Sequence, residues 1–103
     1  MLDKLRILQT NLRKSYTHTE QLKIKLDKLR ANIICIQEPY AYKPKNEPTY
    51  AMSSYGREFK LIYKRSDKPP KAAIAIRTNI DCLVDQCLTD ENKAVVILQD
   101  RQC

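Results

Sequence analysis

The run Ile33-Ile34-Cys35-Ile36 is apolar at four consecutive positions and then breaks into Gln37-Glu38-Pro39-Tyr40. A strand that loses its apolar/polar alternation is one covered on both faces, so this run reads as an interior strand. Its β-branched residues fit a pleated surface, and Pro39 ends it because proline has no N–H to donate to a ladder. The earlier segment Leu5-Arg6-Ile7-Leu8-Gln9-Thr10-Asn11-Leu12 has the same form but closes on an amide instead of a carboxylate. Between the two, Thr17-His18-Thr19-Glu20 fits a capping box, in which the Thr17 hydroxyl accepts from the Glu20 backbone while the Glu20 carboxylate reaches back. Leu22, Leu26 and Leu29 then recur on one helical face, Lys23 and Asp27 form an i,i+4 pair on the other, and the helix is expected to stop near Asn32. Strand, helix and interior strand make a βαβ unit, whose right-handed crossover runs the two strands parallel.

This topology brings Asn11 and Glu38 side by side at the carboxyl ends of neighbouring strands, where open α/β sheets bind their ligands. Mg²⁺ takes hard oxygen ligands, often one or two carboxylates with retained waters, so Glu38 can hold the ion while Asn11 orients water or a phosphate oxygen. A plainer reading fits the same spacing: Glu38 opens a loop, and Asn11 turns or caps the backbone. Arg13 and Lys14 follow directly, placed either for a phosphate backbone or for a solvated turn. From Pro39 to Gly56 a long loop interleaves Tyr40, Tyr42, Tyr50 and Tyr55 with Lys43 and Lys45. Tyr40 and Tyr42 beside Lys43 are the candidates for stacking on bases, against the alternative that they edge the core with their hydroxyls in water.

Residues Arg57 to Arg65 alternate, with Phe59, Leu61 and Tyr63 on one side, and Ala72 to Ile76 form another apolar strand. Ser66-Asp67-Lys68-Pro69-Pro70 between them is a turn, so antiparallel pairing is expected. Cys82 to Leu88 fits neither pattern cleanly, and a last strand is expected over Ala94 to Gln99. The 103 residues allow one domain, and with a single glycine tight turns at positive φ should be scarce. No apolar run is long enough to span a bilayer and no signal peptide opens the chain, so an intracellular protein is expected, without membrane association. A net charge of +7 favours polyanionic partners. Lys64-Arg65 and Lys68 beside two prolines fit a nuclear import signal or a plain basic turn. Cys35, Cys82, Cys87 and Cys103 form no CxxC pair and His18 is distant from them, which argues against a zinc site; Cys35 reads as a small buried hydrophobe, and no role is assigned to Cys82 or Cys87.

Taken together and in order, Ile7-Leu8-Gln9-Thr10-Asn11-Leu12, the helix, and Ile33 through Tyr40 resemble the exonuclease-endonuclease-phosphatase superfamily. Gln37-Glu38-Pro39-Tyr40, the proline- and tyrosine-containing loop and Pro70-Lys71-Ala72-Ala73-Ile74-Ala75-Ile76-Arg77 look most like the endonuclease domain of non-LTR retrotransposons, which nicks target DNA to prime reverse transcription. The resemblance implies an α/β fold, the N-terminal part of a four-layer α/β sandwich, in which a βαβ unit is followed by antiparallel strands. It also implies phosphodiester hydrolysis dependent on Mg²⁺ with DNA as substrate, Glu38 as the metal-binding glutamate and Asn11 as the metal- and phosphate-site asparagine. The family's later motifs, a catalytic tyrosine, a Gly-Asp-Asn-type segment and a C-terminal Asp-His pair, have no counterpart here, and His18 at the start of the helix cannot replace that histidine. The expectation is therefore one partial domain over 1–103, truncated at its C-terminus and not catalytic alone, with one sheet face left open for a second chain or the missing half. The alternatives are a non-catalytic basic module that binds nucleic acid or another chain, and a gene remnant without activity.

Overall fold

The computed structural model describes residues 5–80, together with the backbone of two further strands at 82–84 and 96–98. The element order is β1 (Ile7–Asn11), α1 (Tyr16–Leu29), β2 (Ile33–Gln37), β3 (Phe59–Ile62), β4 (Ala72–Arg77), β5 (Cys82–Val84) and β6 (Val96–Leu98). β1 pairs parallel with β2 from Ile7↔Ile33 to Asn11↔Gln37, which is the expected βαβ unit. β4 inserts beside β2 in antiparallel sense and pairs antiparallel with β3, giving the order β1-β2-β4-β3. β5 and β6 form a separate antiparallel pair. They fall within the ambiguous segment and the expected last strand, whereas Cys87 and Cys103 lie outside the described residues.

The central strands are apolar on both sides because both sides are covered. Leu22 and Leu26 of α1 pack with Ile34, Ile36, Ala73, Ala75 and Phe59 on one face of the sheet. On the other face Ile33, Ile62, Ile74 and Ile76 cluster with Ile80, which the turn after β4 folds back, and with Leu5 and Cys35 partly buried against them. The face expected to be open is thus closed over β2, β3 and β4. It is open along β1, where Ile7, the register partner of Ile33, remains 59% exposed. On α1, Leu22 and Leu26 are buried but Leu29 is 37% exposed, since the helix ends one residue later at Arg30 in the left-handed conformation.

The helix begins earlier than its sequence suggests. Ser15 is the N-cap, its Oγ accepting from the His18 N–H at 3.1 Å, so Thr17 and Thr19 lie inside the helix and Thr19 donates its hydroxyl to the Ser15 carbonyl. Both Ser15 and Thr17 are good caps by type, and Ser15 wins because the chain must leave β1 and turn at once, as shown by the Ser15 N–H donating to the Leu12 carbonyl. Lys23 likewise pairs with Glu20 at 3.1 Å instead of Asp27, because its ammonium is drawn inward to donate to Ser53 Oγ at 2.8 Å and to lie over the Tyr55 ring. That lysine ties α1 to the loop after β2. The same loop is held to the end of β3 by Arg65, which binds Glu47 and the Tyr50 carbonyl, and by Tyr63, whose hydroxyl accepts from Met52 N–H.

Tyr55 is 5% exposed and its hydroxyl is buried without a hydrogen-bond partner. Burial, seconded by the nearby negative charge of Glu20, pushes that hydroxyl up to about 12.

Two stability predictions follow from these contacts. Ser15→Ala should lose about 1 kcal/mol in a urea titration while Thr17→Ala stays within about 0.5 kcal/mol of wild type; equal losses would return the cap to Thr17. Tyr55→Phe removes the orphan hydroxyl and should stabilise the chain by about 1 kcal/mol at pH 7. An unfolded tyrosine ionises near pH 10 and the folded one only near 12, so the wild type should lose stability as pH rises between these values. The advantage of Tyr55→Phe should therefore widen in that window by up to about 2 to 3 kcal/mol, and a gap that is the same at pH 7 and pH 11 would contradict it.

Candidate metal and phosphate site

Asn11 and Glu38 come together at the ends of β1 and β2, with Asn11 Nδ2 donating to Glu38 Oε2 at 3.0 Å. Strand alternation alone would not produce this contact. Asn11 is the register partner of Gln37, so a regular continuation of β2 would send Glu38 to the opposite face. Glu38 instead takes φ +49°, and this left-handed twist turns its carboxylate towards Asn11. The backbone is held there from both sides: Glu38 N–H donates to the Lys71 carbonyl at 2.9 Å, and the Glu38 carbonyl accepts from Lys14 N–H at 2.8 Å.

The amide of Asn11 is equally fixed. Its Oδ1 accepts from Arg13 N–H at 2.8 Å, which leaves Nδ2 as the group facing the carboxylate. Arg13 and Lys14 both have positive φ, 53° and 58°, so three of the five non-glycine residues in the left-handed region among those described lie at this one mouth. Left-handed backbone costs a side-chain-bearing residue about 1 to 2 kcal/mol. The strain is carried by the ladder, which continues past the strands with Leu12 N–H donating to the Gln37 carbonyl at 2.9 Å. Such conformations cluster where a site must be pre-formed.

The other residues singled out from sequence divide into two groups. Arg13 and Lys14 are exposed at the mouth, and Tyr40 stands two residues beyond Glu38 with its ring edge-on to Tyr16 at 5.4 Å. Tyr42 and Lys43 stand further along the loop, both exposed: the Tyr42 backbone bridges Ala51, and the Lys43 ammonium lies 5.6 Å from the Tyr50 ring centre. Sequence reasoning missed Ser15, Tyr16 and Lys71, the last of which stands just before the apolar strand β4, after Pro69-Pro70, where a cation reads as solvated flank. His18 sits in the first turn of α1, exposed.

A cavity of about 280 Å³ lies elsewhere, between α1 and the Tyr55–Phe59 segment, and shares no residue with the mouth. Among the described residues no three Asp, Glu, His or Cys side chains gather as a metal cage. What the mouth offers an ion is one exposed carboxylate, with one oxygen steered by an amide and room for water around it. That donor set suits Mg²⁺, which keeps several waters and often takes only one or two carboxylates, better than it suits a dehydrating all-protein cage.

A parallel βαβ unit extended by two antiparallel strands, with polar residues gathered at the carboxyl ends of the parallel pair, has the arrangement of part of an α/β endonuclease fold of the exonuclease-endonuclease-phosphatase type. The particular likeness is to the endonuclease domain of TRAS1, a telomere-specific non-LTR retrotransposon, at a TM-score of 0.71 and 29% sequence identity over 95% of this chain. The chain spans 40% of that domain's length. No model of a known family matches the sequence, and neither does any curated protein.

The strain at the mouth is open to measurement. Lys14→Gly should raise stability by about 0.5 to 1 kcal/mol, and Lys14→Val, which tolerates positive φ worst, should lower it by at least about 1 kcal/mol. Urea midpoints that move the other way would mean that the turn is not left-handed.

Proposed function

We propose that the chain is part of a Mg²⁺-dependent DNA endonuclease that nicks a target for retrotransposition, and that it does not turn over alone. The observation that carries this reading is the Asn11–Glu38 hydrogen bond at the carboxyl ends of adjacent parallel strands, in a fold like that of a retrotransposon endonuclease domain. Glu38 would hold the ion through its carboxylate. Asn11 would keep that carboxylate oriented and stand beside the phosphate. Bound there, Mg²⁺ would supply charge neutralisation at the scissile phosphate and a water of lowered pKa. Arg13 and Lys14 would contact the DNA backbone at the same mouth, and Tyr40, Tyr42 and Lys43 would extend the nucleic-acid surface along the loop.

Among the described residues no three His, Cys, Asp or Glu side chains gather to hold an ion, and this supports assigning turnover to a larger assembly. The exposed Ile7 face of β1 is the surface a second chain or further polypeptide would cover. Action on chromosomal DNA would place the protein in the nucleus. The second reading, a basic nucleic-acid-binding or interaction module without catalysis, is favoured by the net charge of +7 and by Glu38 being the one carboxylate at the mouth among the described residues.

Titrating Mn²⁺ as a paramagnetic substitute for Mg²⁺ into the isotopically labelled chain tests the site directly. Amide signals near residues 11 and 38 should broaden first, and Glu38→Ala should remove that selectivity. Broadening centred elsewhere, or unchanged in the variant, would overturn the metal assignment. Supercoiled plasmid incubated with Mg²⁺ and the wild-type chain should show no more nicking than with Glu38→Ala, whereas nicking lost in the variant would show that the 103 residues suffice.

A further inference from the structure

Lys71 occupies a position that neither the sequence motifs nor the reading above assigns a role. β4 lies on the far side of β2 from β1, and the register Gln37↔Ala72 makes Lys71 the residue opposite Glu38. Its carbonyl accepts from the Glu38 N–H at 2.9 Å, so its Cα is tied to the carboxylate residue by a main-chain hydrogen bond. Pro69 and Pro70 precede it, and Pro70 is buried with less than 2% exposure, which anchors the chain just before Lys71. The Lys71 residue itself is exposed, and none of the ion pairs among the described residues uses its ammonium.

Lys14 stands in the mirror position on the other side. Its N–H donates to the Glu38 carbonyl, so the backbone of Glu38 is clamped between two lysines that arrive from different strands. Strands on either side of a central one are about 10 Å apart, a gap that flexible lysine side chains can close or widen to reach neighbouring phosphates of one nucleic-acid strand. We propose that Lys71 is a phosphate-contacting residue of this mouth, and that with Lys14 it forms a two-pronged clamp that lays a DNA backbone across Glu38. This inference rests on the reading of the mouth as a nucleic-acid site and adds to it the residue that fixes the strand's path.

Binding of the full chain to a fluorescein-labelled 20-base-pair duplex, followed by anisotropy between 50 and 200 mM NaCl with Ca²⁺ in place of Mg²⁺, tests the clamp. Lys71→Ala should weaken binding about three- to tenfold near 100 mM salt and reduce the slope of log K against log salt by about one, as loss of a single phosphate contact does. Lys71→Arg should restore both. Lys25→Ala, on the exposed side of α1, should leave both unchanged. The hydrogen bond to Glu38 uses the Lys71 main chain, so the variants should keep the wild-type circular dichroism spectrum and urea midpoint. If wild type binds but Lys71→Ala is indistinguishable from it, or Lys25→Ala weakens binding equally, Lys71 has no special role and the attraction is diffuse. If wild type does not bind the duplex at all, the nucleic-acid reading of the mouth fails, and the clamp fails with it.

Discussion

The parallel pairing of β1 with β2 is the constraint on which everything else rests, because neither strand's polar terminus means anything without the other's. A parallel pair has no hairpin to fix its register, so register must be fixed by what happens at its two ends. At the end where the strands begin, Asn32 does this with three bonds: its N–H donates to the Arg6 carbonyl, its Oδ1 accepts from the Arg6 N–H, and its carbonyl accepts from the Arg77 N–H. Arg77 then reaches back with Nε to the Ala31 carbonyl and lies across the Phe59 ring, with Nη1 on Glu58. The junction of helix, first strand and last central strand is stitched by residues that read in sequence as a helix end and a strand flank. A one-residue slip of β1 would break that stitch and at the same time move Asn11 off Glu38.

At the other end the ladder runs on beyond the strands, and the strained residues sit inside that extension. Glu38, Arg13 and Lys14 all adopt a backbone that residues with side chains avoid, and each is bonded through its main chain: Glu38 to Lys71 and Lys14, Arg13 to the Asn11 side chain. The core supplies the rigidity against which this is possible, since Ile34, Ile36, Ala75 and Ile76 are all but inaccessible. Packing at native density makes these buried strands hard to compress or displace, which holds the backbone they carry at the mouth in place.

The strands, the helix and the Asn11–Glu38 juxtaposition were legible in the sequence because each depends on a strong pattern: consecutive apolar positions, a leucine stripe, and an abrupt polar end. What was not legible depends on backbone conformation or on groups distant in sequence. Ser15 against Thr17 as the cap is decided by how sharply the chain leaves β1, which composition does not encode. Lys23 chose Glu20 over Asp27 because Ser53 and Tyr55, far along the chain, pull its ammonium inward. The packing of Ile80 into the cluster on the second sheet face depends on a turn after β4, and the left-handed φ of Glu38 appears at a residue type that does not advertise it. The backbone bridge from Tyr42 to Ala51 and the contact of the Lys43 ammonium with the Tyr50 ring were not legible either, since both join residues across the loop.

The charge balance at the mouth bears on the order in which ligands could arrive. Among the described residues, three cationic ones, Arg13, Lys14 and Lys71, cluster in sequence and register about one carboxylate, Glu38. A divalent cation approaching alone would meet a net positive field, whereas a phosphate would be attracted to the cations and would bring with it the negative oxygens that a hard ion needs. On the proposed reading each ligand therefore raises the other's affinity, and by linkage the enhancement is the same in both directions. On that reading a mouth of this kind, with one steered carboxylate among lysines and an arginine, would hold metal weakly without nucleic acid and would confine metal chemistry to the bound complex.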